Sequence, residues 1–235
     1  MIHLTTRPSP VEISVVYYRA GYTPDDYSSE EDYETRFRLE GSNSIQCPSI
    51  PLQLAGGKKV QQVLTNPGVL ERFLQDSSND GESFEDSTLE EIKETWMDMW
   101  GLDEVDGVKR ALERHAHLVL KPQREGGGNN VYTSHIPEFL KVLPEKEREA
   151  WIAMEMIQPP QGVKNWMVKA GDAKTMESEV VSEIGIFGWA LFGEGRPTIE
   201  KEAGWLVRTK GRESDEGGVA VGFSVLDSII HLDDQ

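Results

Sequence analysis

Cysteine is almost absent from this chain: Cys47 stands alone among 235 residues. A single thiol excludes an intrachain disulfide and any multi-cysteine zinc site. Basic residues are scarce as well, 24 Lys and Arg against 41 Asp and Glu, for a formal net charge of −17. That balance argues against nucleic acid or an anionic membrane as the main partner, because phosphate binding needs a basic face. No apolar run approaches the ~18 residues needed to span a bilayer. The segment Met1–Pro10 lacks the charged-then-apolar layout of a secretory signal, so a cytoplasmic location is expected. What remains is a polar, globular composition, 37% hydrophobic and 28% charged. A chain of this length accommodates one large domain or two modest ones, and can bury about 70% of its unfolded surface.

Val11 to Tyr18 is rich in β-branched and aromatic residues and reads as a strand buried on both faces. The acidic stretch Thr23 to Glu34 reads as an exposed loop leading into a helix. Gly56-Gly57 precede a short helical pattern, Lys58 to Leu64, that Pro67-Gly68 interrupts. Gln75 to Ser87 is too polar to order itself and reads as a mobile surface loop. Ser87 and Glu90 form a capping-box pattern, after which Leu89, Ile92, Trp96 and Met99 share a helical face ended by Gly101. Further helices are predicted over Val105 to Arg114 and from Pro137 through Leu143. Strands are predicted at His117 to Leu120, Trp151 to Ile157, Val180 to Phe187, Trp205 to Thr209 and Val219 to Leu226. The alternation lacks the regular βαβ spacing of a doubly wound sheet, which favours an α+β fold or a mixed sheet.

The strongest local motif is Lys121-Pro122-Gln123-Arg124-Glu125-Gly126-Gly127-Gly128-Asn129-Asn130. Three consecutive glycines between strands are costly in entropy and pack nothing. Either their N–H groups approach phosphate oxygens, with Lys121 and Arg124 supplying charge and Glu125 a magnesium ligand, or the segment is a plain hairpin connection. Neither a Walker A loop nor a dinucleotide fingerprint fits: Lys59 follows Gly57-Lys58, and Val131 stands where a third fingerprint glycine is needed. Arg19-Ala20-Gly21-Tyr22 is a candidate carboxylate clamp at a strand end, or a surface Arg. Arg208-Thr209-Lys210 followed by Gly211 to Gly218 has the layout of a substrate-covering flap, or of an ordinary loop. Glu155 and Glu183 lie in apolar strands, facing outward or holding something. His115 and His117 would share a strand face, but without a third ligand a packing or surface role is favoured over zinc.

Taken together, these segments resemble eukaryotic glutathione synthetase, an ATP-grasp ligase. The resemblance runs in order through Val15 to Tyr22, Gln53 to Gln62, Lys121 to Asn130, Glu183 to Gly188, Leu206 to Lys210 and Gly217 to Gly222. It implies an α+β ATP-grasp fold with an antiparallel-sheet lid, preceded by the end of an α/β substrate-binding domain. On that basis residues 1–57 belong to the substrate-binding domain and 58–235 to the ATP-grasp region, with the lid at about 88–178. The implied reaction is ATP- and magnesium-dependent ligation of γ-glutamylcysteine and glycine through an acyl phosphate.

The resemblance also implies residue roles. Lys58, Lys121, Lys210 and the backbone of Gly126, Gly127, Gly128, Asn129 and Asn130 would meet ATP. Tyr132 would help close the site, Met154, Glu155, Met156 and Ile157 would line the adenine, and Glu183 and Glu216 would also meet the nucleotide. Glu125 would hold magnesium. Arg19, Ala20, Gly21, Tyr22, Arg208, Val219 and Ala220 would bind the peptide substrate, with Arg208 as the catalytic cation. Glu216 stands where the family usually has Asp, a change that keeps the charge. The chain corresponds to the family's C-terminal half, so a homodimer or a complex with a chain carrying the N-terminal half is implied. The alternative is a truncated, non-catalytic chain that binds or regulates full-length synthetase.

Overall fold

The structure, a computed structural model, describes residues 3–4, 11–75, 83–123, 128–168, 175–193, 195–214, 219 and 224–229. The chain divides into two compact units, Met1–Ile157 and Gln158–Gln235. This division coincides with none of the domain boundaries expected above.

In the first unit, β1 (His3–Leu4) pairs antiparallel with β2 (Val11–Glu12). β3 (Val15–Tyr17) then pairs in parallel with β4 (Ile45–Cys47), joined by the crossover helix α1 (Glu30–Glu40). The single buried strand expected over Val11 to Tyr18 is therefore two short strands, and Val15 and Tyr17 are exposed. The break falls where the chain changes partners: the Ser14 carbonyl accepts from the Ile45 N–H, and that of Ile13 from the Ser44 hydroxyl. α1 starts at Ser29, whose backbone and hydroxyl both donate to Asp32 Oδ2, and three acids in its first turn suit the helix dipole.

Three short helices follow: α2 (Ile50–Ala55), α3 (Lys58–Leu64) and α4 (Val69–Leu74). α5 spans Asp86–Glu94 from an N-cap at Glu85. This corrects the expectation of a Ser87 cap and of a helix running on to Gly101. Leu89 is buried as expected, but Met99 lies in β5 (Met99–Gly101), where sheet pairing replaces helical hydrogen bonds. The chain continues through α6 (Gly107–Arg114), β6 (Leu118–Pro122), β7 (Val131–Tyr132), α7 (Ile136–Val142) and β8 (Trp151–Glu155). His115 and His117 fall in a 3-10 turn between α6 and β6, not in a strand, so the strand-face argument for them lapses.

β5, β8, β6 and β7 form an antiparallel sheet in that order. Trp100, Leu118, Leu120 and Ala153 pack with Ala111 of α6 and with Ile136 and Leu140 of α7 as the core of this unit. Opposite residues of an antiparallel pair share a face, and side chains alternate along each strand. Met99, Met154, Val119 and Tyr132 are opposite one another, and Lys121 opposes Ile152 one step along. That set therefore occupies the face turned away from the α6–α7 core. α3 covers part of it: a Cβ on Gly101 would lie 2.6 Å from Lys59 Nζ. Gly107 is required on similar grounds, since a Cβ there would sit 2.4 Å from the Gly101 carbonyl oxygen.

The second unit is an antiparallel sheet ordered β12 (Val225–Asp227), β11 (Arg196–Gly211), β10 (Thr175–Gly193) and β9 (Lys164–Val168). β10 and β11 extend well beyond the predicted strands as one long hairpin, with register shifts at Phe187/Gly188 and Leu191/Gly193. The strand expected over Val219 to Leu226 is described at Val225–Asp227, and residues 220–223 lie outside the described residues.

Candidate functional site

Of the expected nucleotide residues of the first unit, three fall on one sheet face. Lys121, Tyr132 and Met154 share it, and α3, with Lys58 as its first residue, lies over the same face. Glu125, Gly126 and Gly127 lie outside the described residues, as does Arg124. The base of the glycine segment is well defined. Gln123 prolongs the β6–β8 ladder through its N–H to the Ala150 carbonyl at 3.0 Å. Its side-chain oxygen accepts the Lys59 N–H at 2.7 Å, tying the start of α3 to the end of β6. Lys58 and Lys121 are thus carried by two elements joined through one side chain. On the far side of the segment, Gly128 has φ +74° and Asn130 Nδ2 donates to the Tyr132 hydroxyl at 3.1 Å.

Two neighbouring lysines of α3 have separate tasks. Lys59 pairs with Asp103 at 2.8 Å and holds the helix to the turn after β5, whereas Lys58 Nζ reaches Gln61 Oε1 within its own helix. The Lys59 hydrogen bond holds the Asp103 carboxyl below the usual range. Of the expected adenine residues, Met154 lies on the Lys121 face. Glu155 falls on the opposite face and accepts from Arg114 Nη2 of α6 at 3.2 Å, so the structure gives its carboxylate a partner inside the unit. The N–H groups of Glu155 and Met156 donate to the carbonyls of Asp98 and His117, and the side chain of Ile157 is exposed.

The Arg19–Tyr22 loop is held at its glycine. The Gly21 carbonyl accepts from the Tyr27 hydroxyl at 2.8 Å and Gln53 Nε2 at 3.0 Å, while the Gly21 N–H donates to Asp26 Oδ2 at 3.2 Å. Gly21 has φ +79°, and an added Cβ would lie 3.1 Å from the Tyr27 hydroxyl. With its backbone fixed, the loop presents Arg19, Ala20 and Tyr22, all exposed. Behind it, the buried Arg36 guanidinium stacks on the Tyr18 ring at 3.4 Å and donates to the Pro48 carbonyl and to Gln53 Oε1. Sequence reasoning named none of Asp26, Tyr27, Arg36 or Gln123 as site residues. The legible signals were weak: the Arg36–Glu40 spacing on a helix, and Gln53 and Gln123 inside the quoted motifs.

The Thr23 backbone N–H foremost, with the Thr23 hydroxyl and the Gly21 N–H, holds the Asp26 carboxyl below its usual value. A depressed acid supports the loop above the ordinary carboxylate range and ceases to as pH falls through its lowered pKa. In an NMR titration, the Gly21 and Thr23 amide shifts are expected to move together with a midpoint below that of an ordinary aspartate. In Asp26→Asn that transition should vanish; its persistence would place the proton elsewhere.

In the second unit, Glu183 and Arg208 are direct cross-strand partners and form an ion pair. Lys210 opposes Val181 one step along, on the same face of the hairpin as Arg208. Thr209, on the other face, is buried and hydrogen-bonds both Ser182 and Asp227 Oδ2, anchoring the charged pair from behind. Val219 is described as a turn residue; Glu216 and Ala220 lie outside the described residues. Among the described residues no group of three or more His, Cys, Asp or Glu is arranged to hold a metal ion. None of their helices is long and apolar enough to cross a membrane.

The family described as eukaryotic glutathione synthase, ATP binding domain, matches residues 14–231. A chloroplastic glutathione synthetase of Solanum lycopersicum is 41% identical over 220 residues, covering 92% of this chain and 38% of that protein. The glutathione synthetase large chain of Schizosaccharomyces pombe is 38% identical over 234 residues, 97% of this chain and 44% of that one. The apo structure of a glutathione synthetase-like effector from Globodera pallida superposes with a TM-score of 0.60 over 83% of this chain and 39% of that chain, at 24% identity, a likeness of fold. The chain thus spans 38% to 44% of the length of these curated relatives. With residues 14–231 matched, nearly the whole sequence, the chain belongs to the family of the eukaryotic glutathione synthase ATP-binding domain.

Proposed function

We propose that this chain is the nucleotide-binding portion of a cytoplasmic glutathione synthetase of ATP-grasp type that joins γ-glutamylcysteine to glycine. Residues 1–57 close the substrate-binding domain, and 58–235 form the ATP-grasp region with its lid at about 88–178. The cysteinyl carboxylate takes the terminal phosphoryl group of ATP, releasing ADP. The glycine amine then attacks the acyl carbon, phosphate leaves, and the amine gives up a proton as the peptide bond forms. Such chemistry depends on holding reactants in line and offsetting negative charge. Lys58 and Lys121 supply cations at the phosphates and Met154 an apolar wall for the base. Arg208, released from Glu183, and Arg19 with Tyr22 hold the peptide carboxylates. The observation that carries this reading is the shared face of Lys121, Tyr132 and Met154 under the helix that begins with Lys58.

The described donors alone do not fit a resident magnesium ion. Glu125, outside the described residues, is the one protein ligand assigned to it, and the ion would arrive on the phosphate oxygens of ATP. A local cluster of cations lets a chain of net charge −17 accept a polyanion, since nearby charges outweigh distant ones screened by salt.

The partial span relative to the relatives favours a second reading, a non-catalytic chain that binds and regulates a full-length synthetase. ADP release dependent on both γ-glutamylcysteine and glycine separates the two. This chain, fused to the part of the Solanum lycopersicum protein that it does not span, is expected to turn over, and the chain alone to show little or none. A silent fusion that still binds full-length synthetase would favour the regulator.

A further inference from the structure

β10 runs for ten residues, Ile184 to Gly193, without a charge. A strand with one wet face alternates apolar and polar residues; an unbroken apolar run is the pattern of a strand covered on both faces. Here both faces are open. Ile184, Ile186 and Trp205 line one, and Phe187, Trp189 and Leu191 the other, with Ile186 69% and Trp189 47% exposed. The lateral cover also stops short. β9 pairs with β10 over Thr175–Glu179 and β12 with β11 over Val207–Thr209, which leaves the outer hairpin two-stranded among the described residues. Its root is packed, with Val180 and Val207 buried, but a bare two-stranded ribbon is marginal in water, and an apolar patch of this extent marks an interface.

We propose that the outer hairpin is the docking element for the part of a glutathione synthetase that this chain does not span, which covers both of its faces. The proposal rests on the functional reading above and adds the surface. The relatives match 92% or more of this chain and carry over half of their length beyond the matched part, enough for a layer on each side. A second copy fits less well. A two-fold dimer uses the same patch on each subunit, so it would cover one hairpin face and leave the other wet. Two chains of net charge −17 also repel each other.

The test mixes the intact chain with the unspanned part of the Solanum lycopersicum synthetase, expressed as a separate polypeptide. Mass is followed by light scattering and burial by tryptophan fluorescence. A one-to-one complex is expected, with emission shifted to the blue as Trp189 and Trp205 are covered. Ile186→Glu and Trp189→Glu probe opposite faces, and because both sites are exposed the melting of the lone chain should not change. Each variant should weaken the complex roughly thirty-fold, as loss of a central anchor does. No complex, a complex indifferent to either variant, or a self-dimer abolished by them would overturn the proposal. The functional reading is scored separately in the fused chain. A variant-sensitive complex alongside a silent fusion would sink the ligase and keep the surface. An active fusion with an indifferent complex would do the reverse.

Discussion

Lys121→Met in the fused enzyme is expected to lower glycine-dependent ADP release by roughly 10²–10³-fold, the usual cost of deleting one charge-stabilising group at a reacting centre. Thermal stability should hardly change. Methionine keeps the length of the apolar stem and all of the backbone ladder, and Lys121 is half-buried in β6, on the sheet face turned away from the α6–α7 core. What the substitution removes is the ammonium group beside the glycine segment, on the face that carries Tyr132 and Met154. An ammonium group serving only structure would give the opposite result, a loss of melting temperature with activity falling in step. Turnover and thermal denaturation measured on the same preparation decide between them. The sharpest contrary outcome is unimpaired turnover, which would remove the phosphate role from this face altogether.

The sequence makes the strands flanking the glycine segment legible because their residues are apolar at the right period and are bounded by turn formers. It does not reveal which face of β6 and β8 Lys121, Met154 and Glu155 occupy. That depends on register with β5 and β7, a matter of long-range pairing. Glu155 shows the consequence: grouped with its neighbours as a nucleotide residue, it lies on the core side with Arg114. Met99 failed for a related reason. Its helical spacing from Leu89 is real, but three residues paired with β8 override local periodicity. The hairpin was under-predicted because a run apolar on both faces has no period-two signature to mark where it ends. The Gly21 cradle was missed because its local half, Asp26 and Tyr27 of the following turn, reads as plain acidic loop, and Gln53 reaches it from α2, which only the fold brings near.

Arg208 and Glu183 refine the expectation differently. The resemblance assigns them to different ligands, whereas the structure makes them partners of each other. An exposed ion pair contributes little to stability, so separating it costs little. Under the function proposed above the pair would be suited to exchange, a substrate carboxylate replacing Glu183 on the guanidinium, because a bidentate carboxylate contact on Arg is among the stronger hydrogen-bonded arrangements.

The largest stability effect is expected at Trp100, in the core that keeps the Lys121 face in place. Trp100 is fully buried, and its Nε1–H donates to the Gly107 carbonyl at 2.9 Å, fastening the start of α6 to β5. The Arg110 and Arg114 guanidinium groups lie 4.1 and 5.3 Å from its ring, and Arg114 goes on to pair with Asp98 and Glu155. Trp100→Ala should cost about 3–5 kcal/mol, since the indole volume is lost to a cavity the surrounding strands cannot close. For a chain of this size the melting temperature should fall by on the order of 10 °C. Trp100→Phe keeps most of the ring and forfeits the hydrogen bond to Gly107, so a smaller loss of about 1–2 kcal/mol is expected. Trp166, exposed on β9, is the control: Trp166→Ala should stay within about 0.5 kcal/mol of the parent. Calorimetric melts of the three variants give the ranking directly. Should Trp100→Ala melt with Trp166→Ala, the indole is not the pin between α6 and β5, and some other contact must hold the sheet that carries Lys121 and Met154.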